Sequence, residues 1–218
     1  METKIAAVLG ASGLIGNEII NELIANKKYS EIRIITRRPL NQVHDKIKEM
    51  VIDFKNLNEL RHALEGVQHL FCAVGTTNKK VNGDKNLYRK VDYNIPVDAA
   101  QIGFDMGIEY FAVVSSIGAD ENSSNFYLKL KGEMEKEVAQ FAIPQIGIFR
   151  PSMLLGKREE FRLAEKVSSY IFPIFAFLFP SKYKPIQGKS VAKAMVLNAE
   201  KGKGVQVLHY KEIQKLIS

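Results

Sequence analysis

The chain has 218 residues, 46% hydrophobic and 25% charged, with 15 Gly, 7 Pro, one Cys and no Trp, which excludes collagen-like, disulfide-framework and low-complexity proteins. At roughly 100 to 200 residues per domain, that length suits one domain over 1–218 better than two small cores. The formal net charge of +7 is scattered, with pairs such as Lys27-Lys28, Arg37-Arg38 and Lys79-Lys80 but no like-charge tail, so it reads as a solvated face and not a nucleic-acid footprint.

Met1-Glu2-Thr3-Lys4 runs into a short apolar strand without a leader pattern, and a cytoplasmic protein is expected. Residues 5–9 form an apolar run stopped by glycine, the signature of a strand buried on both faces. Leu14, Ile15, Ile19, Ile20, Leu23 and Ile24 then recur at helical spacing, ended by Asn26-Lys27-Lys28. Strands are expected at 32–36 and 49–53, a helix at 57–65 and a strand at 67–74. Leu87, Val91, Ile95 and Ala99 mark a long helix that Pro96 must kink, unless the proline sits where its missing N–H is tolerated. A strand at 110–114, a helix at 125–141 and a strand at 145–149 follow, closed by Pro151. Beyond it the alternation weakens, with a helix near 191–198 and a strand near 205–209. The repeated strand–helix alternation predicts an α/β fold, a doubly wound parallel sheet, because parallel neighbours need crossover connections.

The apolar stretch 170–180 is too short for a spanning helix, which needs roughly 20 residues, and it contains Pro173 and Pro180. It reads either as the wall of an apolar substrate pocket or a subunit contact, or as a peripheral membrane patch flanked by Lys166, Lys182 and Lys184.

Gly10-Ala11-Ser12-Gly13-Leu14-Ile15-Gly16 is a GxxGxxG pattern between a strand and a helix. Chance would give about 0.07 such triplets at this glycine content, so the pattern is informative. Gly10 permits a tight turn, Gly13 lets backbone approach a pyrophosphate, and Gly16 allows close helix packing. Gly10, Ser12, Gly13, Leu14, Ile15 and Gly16 are therefore expected to bind a dinucleotide. After the second strand, Arg37 and Arg38 stand where an acid would hold the ribose hydroxyls of NAD; a guanidinium pairs with a 2′-phosphate, which predicts NADP(H). By position, Asp53 and Phe54 after the third strand and Val74, Gly75 and Thr76 after the fourth complete the coenzyme contacts. Asp53 is expected to accept the adenine amino group, and Gly75 to let backbone pass under the cofactor.

Tyr127 and Lys131, four residues apart, share one helix face. The ammonium would lower the phenol and hold a ribose hydroxyl while Tyr127 transfers a proton. About 0.8 such pairs are expected by chance, so the weight comes from position, just after Ser115-Ser116 at the C-terminal edge of the fifth strand, where ligands bind in such sheets. Strand alternation lets only one of Ser115 and Ser116 face the substrate. His44, His62, His69 and His209 show no ligand spacing for a metal, and no GxSxG elbow supports a serine hydrolase. Cys72, inside an apolar run, reads as a small buried hydrophobe, and Glu133-Met-Glu-Lys-Glu137 as a solvated helix face.

This constellation resembles the short-chain dehydrogenase/reductase superfamily in its atypical, extended branch. Phe71-Cys-Ala-Val-Gly-Thr-Thr77, Ser115-Ser-Ile-Gly-Ala-Asp120, Ser123-Ser-Asn-Phe-Tyr-Leu-Lys-Leu-Lys-Gly-Glu133 and Phe149-Arg-Pro-Ser-Met-Leu-Leu-Gly156 are most similar to the Tat-interacting protein family of oxidoreductase-like proteins. The resemblance implies a Rossmann fold, bound NADPH, and a catalytic set of Ser115 or Ser116, Tyr127 and Lys131, with Ser116 favoured by the superfamily pattern. It also places Arg150-Pro151 beside the nicotinamide and substrate. The expected activity is NADPH-dependent hydride transfer to or from a small carbonyl or alcohol with an apolar portion, with 157–218 as the substrate or interaction region; an oligomer is compatible with it. The alternative is an NADPH-binding sensor without turnover. Sugar-nucleotide epimerisation fits less well, because roughly 60 C-terminal residues are few for such a site.

Overall fold

The computed structural model describes residues 3–155 and 184–218. The apolar stretch 170–180 and most of the expected substrate region lie outside the described residues. Seven strands form one parallel sheet in the order β3-β2-β1-β4-β5-β6-β9: β1 Lys4–Leu9, β2 Tyr29–Thr36, β3 Ile47–Val51, β4 His69–Cys72, β5 Tyr110–Val114, β6 Gln145–Phe149 and β9 Gly204–Leu208. A separate parallel pair joins β7 Leu154–Leu155 to β8 Ile186–Gln187.

Both sheet faces are covered, which is why the strands read as continuous apolar runs. Ala6, Val8, Ile32, Ile34, Phe71 and Ala112 point to one face, against α1 Leu14–Ala25, α6 Gly188–Lys201 and α7 Tyr210–Ile217. Their neighbours Ala7, Leu9, Ile35, Leu70, Cys72 and Val113 point to the other, against α2 Leu57–Leu64, α4 Ile95–Asp105 and α5 Phe126–Val138. Fully burying one of the Val, Leu, Ile or Phe side chains among them stabilises by about 1.5–3 kcal/mol, so the two clusters hold the layers together.

The strand order reverses between β1 and β4, because the chain adds β2 and β3 on one side and then returns to build outward on the other. The crevice above the carboxyl ends of β1 and β4 is therefore the switch point, where ligands bind in open α/β sheets.

Several boundaries differ from those expected. β3 stops at Val51 and β4 at Cys72, so Asp53 and Val74 lie in the loops beyond the strands. The long helix is three pieces: α3 Lys85–Arg89, a π-helical turn Lys90–Asn94, and α4, whose first turn contains Pro96. The wide turn feeds directly into α4, placing the proline where the absent N–H costs little. α7, with buried Ile213 and with Tyr210, Leu216 and Ile217 packed on the same core, was not expected from the sequence; it is only eight residues long.

Candidate functional site

The site is assembled from loops at the carboxyl ends of β1, β4, β5 and β6. Gly10 ends β1 with φ +83°, and a Cβ there would lie 2.5 Å from the Ala73 carbonyl carbon in the loop after β4. Only glycine takes both the conformation and the close approach. A Cβ on Gly16 would fall on the Gly10 carbonyl, so the first turn of α1 is seated on the glycine turn itself. Gly13 N–H donates to Gly10 O at 2.9 Å and Gly13 caps α1 without a side-chain hydrogen bond or any acid in the first turn. That leaves the helix N-terminus open to an anion, with its N–H groups and positive dipole end available. Ser12 is exposed and Leu14 part-buried, whereas the Ile15 side chain belongs to the core, which leaves Ile15 only its backbone for a ligand.

Arg37 and Arg38 follow β2, are exposed and form no ion pair among the described residues. Asp53 is exposed too, but its carboxylate accepts the Lys55 N–H at 3.0 Å in a local turn. Phe54 packs onto the core beside α2, as does Val74. Gly75 and Thr76 continue from β4, and Thr76 N–H donates to Asp92 Oδ2 at 2.8 Å.

On α5, Asn125 caps the helix by accepting the Tyr127 and Leu128 N–H groups at 3.0 and 3.1 Å. The cap starts the helix at a position that leaves Tyr127 part-buried at the site edge. Gly132 lets α5 lie against the 120–121 backbone, where a Cβ would clash. Tyr127 meets Tyr88 edge-on at 6.0 Å, and Tyr88 meets Phe126 the same way at 5.9 Å. With Asn78, Gly83, Lys85 and Asn125 these aromatics line a cleft of about 310 Å³.

Lys131 is 2% exposed; its Nζ lies 3.1 Å from Asp92 Oδ1 and 3.3 Å from the carbonyl of Val114, the last residue of β5. Burial alone would push this ammonium down. The Asp92 carboxylate first, then Tyr127 and Cys72, more than offset it, so the net direction is up and Lys131 stays charged.

The two serines part company. Ser115 is buried and its hydroxyl donates to Glu135 Oε1, while Ser116 is part-exposed and, among the described residues, its hydroxyl donates only to the Ile117 carbonyl at 3.3 Å. Glu135 also receives Arg150 in a two-pronged pair, Nε to Oε1 at 2.9 Å, with the second prong from Nη2 to Oε2. This corrects the reading of 133–137 as a solvated face: Glu135 is 5% exposed. The i, i+4, i+8 spacing of Tyr127, Lys131 and Glu135 on one helix face was the signal available for it. Asp92 carried no such signal, since only the fold brings the π-helical turn to α5. Cys72 is fully buried and its thiol is pushed up to about 11 by burial, as a small core residue should be.

A Rossmann-type sheet with a glycine turn at its switch point defines an NAD(P)-binding protein of the oxidoreductase type. The family described as NAD(P)H-binding matches residues 10–155, and the chain belongs to it, in the extended short-chain dehydrogenase/reductase-like group expected above. The chain is 31% identical to Protein HTATIP2 of Rattus norvegicus, over 91% of this chain and 82% of that protein. It is 34% identical to Protein FMP52, mitochondrial, of Debaryomyces hansenii, over 88% and 85% of the two. Among solved structures, MoeE5 in complex with UDP-glucuronic acid and NAD superposes with a TM-score of 0.73 at 20% identity, over 94% of this chain and 75% of that one, a likeness of fold. Among the described residues no helix is long and apolar enough to cross a membrane.

Proposed function

We propose that the protein is an NADPH-dependent oxidoreductase acting on a small carbonyl or alcohol with an apolar portion. The observation that carries this reading is Lys131: a buried, charged ammonium against the end of β5, four residues after Tyr127 and beside the loop that leaves β4. The chain's residues fit a dinucleotide, since the glycine turn is a cradle that a Cβ would fill. Gly10, Gly13 and Gly16, with the backbone of Ser12, Leu14 and Ile15, would hold the pyrophosphate. Arg37 and Arg38 would pair with the 2′-phosphate, which is the basis for NADP(H) over NAD. Val74, Gly75 and Thr76 would pass beneath the coenzyme; Asp53 and Phe54 are the weaker assignments, given the local bond of one and the core packing of the other.

When bound, the nicotinamide supplies or accepts the hydride. Tyr127 gives the proton to, or takes it from, the substrate oxygen, and Lys131 would hold a ribose hydroxyl of the coenzyme. Ser116 donates a hydrogen bond to that oxygen, a role open to it because the Ser115 hydroxyl is committed to Glu135. The aromatic cleft of Tyr88, Phe126 and Tyr127 would take the apolar part of the substrate. We take 1–218 as one unit and the cytoplasm as its compartment, although the fungal relative is by name mitochondrial.

The test is a titration of NADPH and NADH into purified protein, followed by nicotinamide emission excited through tyrosine, which the absence of Trp makes clean. Tight binding with preference for NADPH supports the reading, and no binding of either coenzyme overturns it. With turnover established on a panel of aldehydes, Tyr127→Phe should abolish it while sparing NADPH affinity; retained turnover would remove Tyr127 from its role.

A further inference from the structure

Lys131 has three N–H donors, and the fold uses two. One faces Asp92 Oδ1 at 3.1 Å and one faces the Val114 carbonyl at 3.3 Å. The third has no acceptor among the described residues. Asp92 itself is 1% exposed, and its second oxygen accepts the Thr76 N–H at 2.8 Å. A Cβ on Gly75 would lie 3.5 Å from Asp92 Oδ1, an ordinary van der Waals distance, so the loop after β4 passes beside this carboxylate. Asp92 lies in the π-helical turn Lys90–Asn94, and single wide turns of this kind recur at functional sites because they re-aim one side chain.

We propose that Asp92 is a positioning residue for the coenzyme site, the counter-ion that orients Lys131 so that its third N–H faces the ligand, and the strut that fixes the Gly75–Thr76 loop. This rests on the coenzyme reading above. A buried ammonium without a partner would shed its proton or swing toward solvent. With Asp92 in place Lys131 is charged and aimed before any ligand arrives, so ligand binding need not order it.

The variants are Asp92→Asn, Lys131→Met and the pair of them; the amide oxygen of asparagine keeps an acceptor for Thr76. In the first arm, without coenzyme, urea unfolding is measured between pH 7 and 10. The titratable groups facing Lys131 are Asp92 from the π-helical turn, Tyr127 from α5 and Cys72 from β4. In Asp92→Asn, buried Lys131 titrates lower in the folded than in the unfolded chain, so the variant should lose stability relative to wild type as pH falls from 10 toward 7. The double variant should not show this loss. An Asp92→Asn profile parallel to wild type would overturn the pairing.

In the second arm, NADPH is titrated into all four proteins. Asp92→Asn should weaken binding about tenfold in the wild-type background and leave it unchanged in the Lys131→Met background, since the aspartate acts through the lysine. Losses that multiply would overturn the positioning role and leave Asp92 a merely structural residue. If wild type binds neither NADPH nor NADH, the coenzyme reading fails and the positioning role with it, while the first arm still decides whether Asp92 holds Lys131.

Discussion

The two ends of the same strands are built on opposite electrostatic rules. At the amino ends of β4, β5 and β6 the buried polar groups are neutral. Tyr29 hydroxyl and His69 Nδ1 share a 2.8 Å bond, Tyr110 donates to the Met195 carbonyl at 2.9 Å, and Gln145 donates to the Asn198 carbonyl. Burial pushes both tyrosines well up and pushes His69 down to about 4. Glu109, whose carboxylate lies 3.8 Å from His69 Nε2, favours the imidazolium, but burial and then Lys4 outweigh it, so the His69–Glu109 contact is not a salt bridge at neutral pH. At the carboxyl ends of those strands lie two matched ion pairs, buried Lys131 with Asp92 and part-buried Arg150 with buried Glu135, to which the Ser115 hydroxyl also donates. Buried ion pairs are often no more stabilising than apolar side chains of the same volume. Their concentration at the end of the sheet where ligands bind marks that end as the one shaped for something other than stability.

The sharpest way to break this contrast is to leave one charge of the carboxyl-end set alone. Arg150→Met strands the Glu135 carboxylate, 6% exposed at its side chain, and should cost about 3–5 kcal/mol in urea unfolding at pH 7. Adding Glu135→Met should restore a large part of that loss; failure to recover would mean that packing, not charge, dominates there.

The amino end makes the next prediction. The unfolded chain protonates His69 near 6.5, whereas the folded chain resists until about 4, so the unfolded state binds the extra proton in between and stability falls as pH drops through that window. The expected loss is about 3 kcal/mol between pH 7 and 4, measured by denaturant unfolding at stepped pH. His69→Gln should flatten that slope; an unchanged slope would assign the acid sensitivity to other groups.

A smaller effect concerns ligand choice. Arg37→Ala should weaken NADPH by about ten- to a hundredfold, about 1.4–3 kcal/mol, and NADH far less. Equal loss of both would sever Arg37 from the 2′-phosphate. Smallest is Asn125→Ala, which removes the cap of α5 and should cost about 1 kcal/mol in thermal unfolding. A coenzyme affinity unchanged beside that loss would show that Tyr127 and Lys131 are held by tertiary contacts and not by the helix start.

Much of the fold was legible because it rests on local, periodic signals. The apolar runs of β1, β2, β5 and β6 and the stripe of α1 announced elements buried on one or both sides. Gly10 and Gly16 were readable for a related reason, since a close backbone approach admits only one residue type. The resemblance to oxidoreductase-like proteins held at the level of family, and the seven-stranded parallel sheet agreed with the expected class.

What the amino-acid order could not settle was which distant groups neutralise one another. Glu135 looked like one acid in a solvated row, and only the approach of Ser115 and Arg150 from two neighbouring strands makes it a buried anion. Asp92 sat unremarked in a helix until the wide turn at Lys90–Asn94 carried it against Lys131. That the Ser115 hydroxyl is committed to Glu135 while the Ser116 hydroxyl is not was likewise invisible in the sequence. Backbone geometry and apolar periodicity are written residue by residue along the chain, so the sequence alone determined the layers and the glycine turn. Charge pairing acts across space between segments far apart in the chain, and only the tertiary structure decides it.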